Sequence, residues 1–322
     1  MYQSGIYNIS QLSADLKTIP FIATKPVAID LYAQTRQLNP EQRQAAEERI
    51  LNFAFSDGSY KKTHSRRFDD FDDQVIAYLQ KNLDRGKKYK FHDLAVSDGR
   101  TSRDFYLQLE KIFPALDYYA SDKNMFVDIF PDRKNKIRRI AKDEKGKILQ
   151  IILPPFVLNI YSPKRALRFK IKKAILYPIN LILAKLLLWP PALELFIKID
   201  PAEKRRIALI SGEARELAAT KNNFHLQSFD LFQKSPDKFD LIRAMNVLNI
   251  SYFTPAEVKK IAANIFASLA EGGLFIVGSN LSAGTPVNGD LLLKKNGQWQ
   301  SVLKFGRGTN FREIILSAQA AG

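Results

Sequence analysis

Between residues 90 and 124 the chain passes from a short apolar run through an amphipathic stretch to a second apolar run. Residues 91–96 have the length and composition of a strand buried in a parallel sheet. Thr101 or Ser102 is predicted to cap a helix. Its apolar face is predicted to contain Phe105, Leu107, Leu109, Ile112 and Phe113. Residues 118–120 predict a second strand, so this stretch has the strand–helix–strand pattern of α/β proteins.

The same alternation returns from residue 206 onwards. Further buried strands are predicted at residues 208–210, 224–230, 239–249 and 274–278. Thr254, Pro255 and Glu257 have the spacing of a capping box with proline at the first helical position. Two strands around Asn296-Gly297 predict an antiparallel hairpin. The predicted fold is therefore α/β, a Rossmann-like doubly wound sheet with a C-terminal antiparallel hairpin.

Two segments do not fit the alternating pattern. Residues 1–60 predict an N-terminal helical cap, and residues 125–200 predict an insertion that begins with strands. Six of the ten residues 164–173 are basic, and the apolar run 174–189 follows. That run is short and interrupted, whereas a membrane span needs about 20 apolar residues. We expect residues 161–200 to form a lid, a packing element or a segment lying in an anionic membrane surface.

The amino-acid composition limits the kinds of partner and active site that this chain can have. The 322 residues carry a net charge of +16 and are 46% hydrophobic, so a large core and an anionic partner are both expected. The absence of cysteine excludes disulfides, thiolate zinc sites and cysteine nucleophiles. With three histidines, a histidine-rich metal site is not expected. The first residues lack the pattern of a signal peptide, which predicts a cytoplasmic protein.

The turn after the first strand carries the candidate chemistry. Gly99 is followed after 23 residues by Asp122, close to the spacing at which a nucleotide-binding unit places a carboxylate on ribose hydroxyls. A dinucleotide site needs several glycines for the approach of a pyrophosphate. This turn has one glycine, and Asp98 is expected to face the phosphates, which argues against NAD. S-adenosylmethionine (SAM) has a ribose but no phosphate.

The turn resembles motif I of the class I SAM-dependent methyltransferases, D-x-G-x-G-x-G. Asp93, Ala95, Ser97 and Gly99 fall on the Asp and the three Gly positions. Later signals follow in the order of that superfamily. They are Asp122, Asp230, the run FDLIRAMNVLN and the run LAEGGLFIV. The resemblance covers about residues 60–316 and implies a methyltransferase domain over 61–322, with 125–200 as an insertion.

The run FDLIRAMNVLNISYF is also similar to the fourth-strand region of the chemotaxis-receptor methyltransferases. Asn246 falls on that family's Asn, but Met245 replaces its Arg and two residues are added before Tyr252. The glutamyl-methylating activity is therefore not carried over.

The resemblance implies roles for these residues. Asp122 is expected to accept the ribose hydroxyls, and the backbone of residues 95–99 to pass close to the methionine end. Phe229 and Asp230 are expected to flank the adenine. Asn246 is expected to face cofactor and acceptor. The structural alternatives are that Asp230 caps a helix and that Asn246 satisfies loop backbone.

The acceptor stays open. The sequence is compatible with a methyltransferase acting on a small or lipid-associated molecule at a membrane surface. It is also compatible with a protein or nucleic-acid methyltransferase that uses the basic surface, or with a non-catalytic SAM-binding module. Tyr252, Asp98 and His64 are unranked candidates for a general base. No metal is implied.

Overall fold

The computed structural model describes residues 5–18, 26–59, 61, 67–161, 193, 197–249, 252–281 and 284–318. The chain divides into two compact units. The first consists of Met1–Lys62 with Phe126–Leu209, and the second of Thr63–Met125 with Ile210–Gly322. The division expected from the sequence, a cap over 1–60 and a methyltransferase domain over 61–322, stays a prediction.

The described residues contain twelve named strands and seven α-helices. The strands are β1 (Tyr89–Leu94), β2 (Leu116–Asp122), β3 (Phe126–Pro131), β4 (Arg139–Asp143), β5 (Ile148–Leu153), β6 (Phe156–Asn159), β7 (Arg205–Ala208), β8 (Phe224–Ser228), β9 (Phe239–Met245), β10 (Leu269–Ser279), β11 (Asn288–Lys295) and β12 (Gln298–Phe305). The helices are α1 (Ile9–Thr18), α2 (Pro40–Ile50), α3 (Asp69–Asn82), α4 (Arg100–Glu110), α5 (Gly212–Thr220), α6 (Pro255–Ser268) and α7 (Arg312–Ser317). Short 3-10 helices occupy Ile29–Gln37 and Pro201–Glu203.

The second unit contains a seven-stranded, mostly parallel sheet with the order β12-β11-β10-β9-β1-β2-β8. Neighbours from β8 to β10 are parallel, and β11 and β12 form an antiparallel hairpin at one edge. The predicted mixed α/β fold and the hairpin are confirmed. From β1 the chain builds outward to β2 and β8, and then returns to place β9 on the other side of β1. Such a reversal is the topological switch point at which open α/β sheets bind ligands.

Side chains alternate between the two faces of this sheet, as the period of a strand requires. On β9, Leu241 and Met245 join a buried cluster with residues of α3 and α4. Ile242 and Ala244 join a second cluster with residues of α6 and α7. Both faces are apolar, which explains why β9 appears in the sequence as a nearly continuous apolar run.

Some boundaries of the helices and strands predicted from the sequence are wrong. Helix α4 begins at Arg100 and follows Gly99, which has a left-handed φ of 82° and makes no side-chain cap. Thr101 and Ser102 are therefore inside the first helical turn and do not cap it. Because glycine has no side chain to cap the helix, a backbone hydrogen bond closes the turn before it, from the Gly99 N–H to Val96 O at 3.0 Å. The strands predicted at 224–230 and 239–249 also end earlier, at Ser228 and Met245. In place of the strand predicted at 208–210, the chain forms β7 (Arg205–Ala208), which pairs with β3 and not with the seven-stranded sheet.

The first unit is built on a five-stranded antiparallel sheet with the order β6-β5-β4-β3-β7. Its buried cluster combines apolar residues from α1, the first 3-10 helix and α2 with inward-facing residues of β3, β4 and β5. The Gln150 side chain reinforces this packing, because it donates to Val27 O and accepts from Ile29 N–H, both at 2.8 Å. Helical residues before position 62 and strands of the predicted insertion thus share one core.

No helix within the described ranges is long and apolar enough to span a bilayer. The basic and apolar segment 164–189 lies outside the described residues.

His92 on β1 provides a pH test of the buried sheet. Its Nε2 lies 2.8 Å from Ser121 Oγ, and its ring packs against Phe239 at 4.5 Å between centroids. Burial lowers the pKa of His92 from 6.5 to about 3. Below pH 6.5 the unfolded chain therefore binds a proton that the folded chain excludes. We expect this residue to lower the free energy of unfolding by about 2 kcal/mol between pH 7 and pH 5.

Urea denaturation of the wild type and of His92→Gln at both pH values measures this effect. The variant should lose less stability on acidification than the wild type, because glutamine does not titrate. Equal losses in the two proteins would contradict a neutral, buried His92.

Candidate functional site

The carboxyl ends of the parallel strands form the candidate site. Ala95, Ser97 and Gly99 follow β1, Asp122 ends β2, and Asn246 follows β9. Strands β1 and β9 are direct neighbours, paired from Phe91↔Leu241 to Leu94↔Ala244. The residues predicted from the sequence are thus placed by parallel strands at the switch-point edge, the position that binds ligands in sheets of this type.

The loop after β1 has an unusual backbone. The φ angles of Ala95, Ser97 and Gly99 are 55°, 60° and 82°. Glycine adopts this left-handed region freely, whereas other residues pay about 1–2 kcal/mol. These are the three positions that align with the glycines of motif I. The loop therefore keeps a backbone suited to glycine although alanine and serine occupy two of the positions.

Asp122 connects the end of β2 to this loop. Its Oδ2 accepts the Ser97 N–H at 2.8 Å, and its Oδ1 accepts the Asn124 N–H at 2.9 Å. Val96 N–H donates to Ser121 O at 3.0 Å and adds a backbone bond between the same segments. Asp122 therefore holds the loop after β1 and the segment after β2 together, and its carboxylate lies at the end of β2.

Asp98 does not face a ligand, contrary to the expectation from the sequence. It is 1% exposed, and its Oδ2 accepts from Arg100 Nη1 at 2.8 Å. A buried carboxylate requires a partner, and the neighbouring guanidinium supplies it. Repulsion between Asp98 and a pyrophosphate is therefore no longer an argument against NAD binding. The remaining argument is that the turn contains a single glycine.

Asp230 and Phe229 lie just beyond β8. Asp230 Oδ2 is 3.1 Å from Lys123 Nζ, and its Oδ1 accepts the Phe232 N–H at 3.1 Å. Phe229 N–H donates to the main-chain oxygen of Asp122 at 3.1 Å. These contacts join the loops after β2 and β8. Asp230 thus closes a turn through the Phe232 N–H. Because Phe229 binds Asp122 and Asp230 binds Lys123, both residues that were predicted to flank the adenine lie near the end of β2.

Asn246 is engaged by the neighbouring loop. Its φ is 58°, and its side chain exchanges two hydrogen bonds with Asn280, from Nδ2 to Asn280 Oδ1 at 2.9 Å and from Asn280 N–H to Oδ1 at 2.8 Å. Arg67 Nε donates to the same Asn280 Oδ1 at 2.9 Å. The side chain of Asn246 therefore satisfies the loop after β10. Its role towards cofactor or acceptor stays a prediction.

Asp93 belongs to a buried ion cluster below this edge. Its Oδ2 accepts from Tyr118 Oη at 2.7 Å and from Arg243 Nη1 at 3.1 Å. Arg243 Nη2 donates to both oxygens of Asp72 at 3.0 Å, and its guanidinium lies 4.5 Å from the centroid of the Phe105 ring. Burial alone would lower the pKa of Arg243, but the charges of Asp72 and Asp93 outweigh it and raise that pKa.

Sequence reasoning did not identify Arg243 or Asp72. One signal was present, because Arg243 is a charged residue between the apolar residues Leu241, Ile242, Ala244 and Met245 of the predicted strand. A charge in a buried strand requires a charged partner. The partner itself lies 171 residues away along the chain and has no local signature.

Comparison with known proteins gives matches among solved structures alone. No protein-family model matches the chain, and no curated protein matches it. Solved structures similar to part of it include mitomycin 7-O-methyltransferase, with 12% identity over 86% of this chain and 50% of that one and a TM-score of 0.31. An amino pentose methyltransferase from Micromonospora echinaspora has 11% identity over 71% and 59%, with a TM-score of 0.30. Magnesium protoporphyrin IX methyltransferase from Synechocystis PCC 6803 has 12% identity over 65% and 57%, with a TM-score of 0.31.

These matches span between 50% and 59% of the length of each solved protein. Identity and TM-score are low in each case.

The left-handed loop predicts the effect of restoring glycine. Ala95→Gly should raise the free energy of unfolding by about 1 kcal/mol, because glycine removes the steric cost of a φ of 55°. Ala263→Gly in the middle of α6 is the matched control and should lower it by about 1 kcal/mol. Urea denaturation measures both. Loss of stability in Ala95→Gly would show that the loop does not hold this conformation.

The ion cluster predicts a large cost for removing its cation. Arg243→Met should lower the free energy of unfolding by about 3–5 kcal/mol, because Asp72 and Asp93 would stay buried without their partner. The control is Arg103→Met, which removes a partly exposed pair with Asp104 and should cost less than about 1 kcal/mol. Similar losses in the two variants, measured by urea denaturation, would contradict the assigned role of Arg243.

Proposed function

We propose that this chain is a SAM-dependent methyltransferase whose acceptor is a small or lipid-associated molecule. One observation carries the proposal. Ala95, Ser97 and Gly99 hold left-handed backbone at the switch point, and the Ser97 N–H is bound to Asp122 at the end of the adjacent strand. A turn with this backbone and a carboxylate at this place is the arrangement expected for a nucleoside with a free ribose.

The residues fit SAM better than a dinucleotide. A pyrophosphate needs to approach bare backbone closely, and the side chains of Ala95 and Ser97 occupy two of the positions where glycine allows that approach. SAM brings no phosphate to the turn. Asp122 would hold the ribose hydroxyls, Phe229 and Asp230 would flank the adenine, and residues 95–99 would lie at the methionine end. SAM supplies a methyl group already activated by the sulfonium.

Because the leaving group is activated, the protein contributes mainly by positioning. The reciprocal bonds between Asn246 and Asn280 fix the ends of β9 and β10, where an acceptor would be presented. Of the candidate bases, Tyr252 is 43% exposed, whereas Asp98 is buried against Arg100. Tyr252 is therefore better placed to exchange a proton with an acceptor than Asp98. His64 lies outside the described residues.

The ribose assignment predicts the binding behaviour of Asp122. Asp122→Ala should weaken SAM binding by about 5- to 150-fold, because charge-assisted hydrogen bonds worth about 1–3 kcal/mol are lost. Calorimetry with SAM and with its demethylated product measures this, and NAD should show no binding. Asp104→Ala, which removes a partly exposed carboxylate in the same unit, is the control and should bind SAM as the wild type does. Wild-type affinity in folded Asp122→Ala would exclude the ribose role.

The acceptor is tested by transferring a labelled methyl group from SAM to fractions of a cell extract. Label in the organic or small-molecule fraction supports the proposal. Label in protein or nucleic acid would support the alternative in which the basic surface binds a macromolecule. SAM binding without label in any fraction would support a non-catalytic SAM-binding module. A cytoplasmic location and contact of residues 161–200 with an anionic membrane stay predictions from the sequence.

A further inference from the structure

We infer that the β3–β4 loop of the first unit, residues 132–138, is a contact surface for an anionic lipid bilayer. This inference is independent of the methyltransferase proposal, because it concerns other residues and its test needs no cofactor. It also concerns residues distinct from the segment 162–192.

The loop is cationic and open to solvent. All of residues 133–138 are exposed, and four of the six are lysine or arginine. Ile137 lies among them and is 55% exposed. In the described part of the chain, the other large hydrophobic residues with such exposure are Tyr252 and Leu281. Exposed isoleucine surrounded by cations has the composition of an interfacial membrane contact.

A second segment adds positive charge beside the loop. Arg133 N–H donates to Lys198 O at 2.8 Å, and Asp200 N–H donates to Pro131 O at 2.9 Å. Asp132 and Ile199 form an antiparallel bridge. The chain then continues through the exposed residues 201–206, which include Lys204, Arg205 and Arg206. The loop and residues 198–206 therefore form one surface at this end of the five-stranded sheet.

The acidic side chains nearby do not neutralise this surface. Lys136 pairs with Asp200 and Glu203, and both Lys204 and Arg206 pair with Asp128. Within the described residues, Arg133, Lys134 and Lys198 form no ion pair. The surface thus presents unbalanced cations, which complement an anionic partner.

The composition favours a bilayer over a nucleic acid. Residues 133–138 and 198–206 contain no aromatic side chain, whereas single-stranded nucleic acids are typically bound by stacking on aromatics. Moving the Ile137 side chain from water to the headgroup boundary of a bilayer lowers the free energy, and a polynucleotide backbone offers no such apolar environment.

Cosedimentation of the full chain with vesicles tests the surface. Vesicles of phosphatidylcholine are compared with vesicles that also contain phosphatidylglycerol. We expect binding to the anionic vesicles alone, decreasing as salt rises. The double variant Arg133→Gln/Lys134→Gln should bind them about 10- to 30-fold more weakly, because each cation near the surface contributes about 5-fold. The control Lys259→Gln/Lys295→Gln removes two exposed lysines of the second unit and should bind as the wild type does.

Ile137→Trp reports on insertion directly. Its emission should shift to the blue on addition of anionic vesicles and be quenched by a nitroxide attached to the lipid, relative to the wild type. Ile137→Ser should bind more weakly than the wild type.

Three outcomes would overturn the inference. They are absence of vesicle binding by the wild type, equal binding by the loop variants and the wild type, and a loop variant that loses binding to RNA or DNA while keeping vesicle binding. Calorimetry with SAM on the same variants keeps the two proposals separate, because neither substitution alters a residue of the candidate cofactor site.

Discussion

The buried guanidinium of Arg243 is the interaction on which the second unit depends. It is 1% exposed and is bound by Asp72 from α3 and by Asp93 from β1, while it extends from β9. One cation on β9 therefore holds two consecutive elements, α3 and β1, that lie about 150 residues or more before it in sequence. Removing these charges from water costs free energy. The two hydrogen bonds to Asp72 and the one to Asp93 offset that cost only when α3, β1 and β9 are correctly placed. The cluster thus fixes β1 beside β9, the pair of strands that defines the switch point.

The loops that follow β1 and β9 contain residues with strained backbone, and the ion cluster holds the two strands from which these loops extend. Ala95, Ser97 and Asn246 all have left-handed backbone, and all lie where β1 and β9 leave the sheet. Strained conformations of this kind persist only when the surroundings over-determine them, and they cluster at functional sites. Here Asp122 binds the first loop and Asn280 binds the second. The structure therefore concentrates unfavourable backbone at the edge where a ligand would be bound, and supports it with hydrogen bonds from the neighbouring loops.

The parts of the fold with local signals were predictable. The positive φ angles of Asn296 and Gly297 suit a tight hairpin, and the Thr254–Glu257 capping box forms as its spacing requires. Contacts between distant segments were not predictable. Asp72, the partner of Arg243, comes from a different element 171 residues away. The short-range pairing of Asp98 with Arg100 was not predicted either, because it depends on the conformation of the loop, and it buries a group that was expected to face a ligand. Sequence patterns specify which face of an element is buried, but not which distant polar group satisfies a buried charge.

The position of the insertion follows from the same topology. The chain leaves the second unit after β2 and returns at Ile210, before α5 and β8, so residues 126–209 lengthen the connection between two paired parallel strands. Backbone donors at both junctions bind residues at the carboxyl ends of β1 and β2. Asn124 N–H donates to Asp122 at 2.9 Å, and Ser211 N–H donates to Asp98 O at 2.8 Å. A carboxylate proposed to hold the cofactor therefore also fixes the point where the chain departs. Any change of Asp122 that rearranges its backbone donors would act on the insertion's junction as well as on the ribose position.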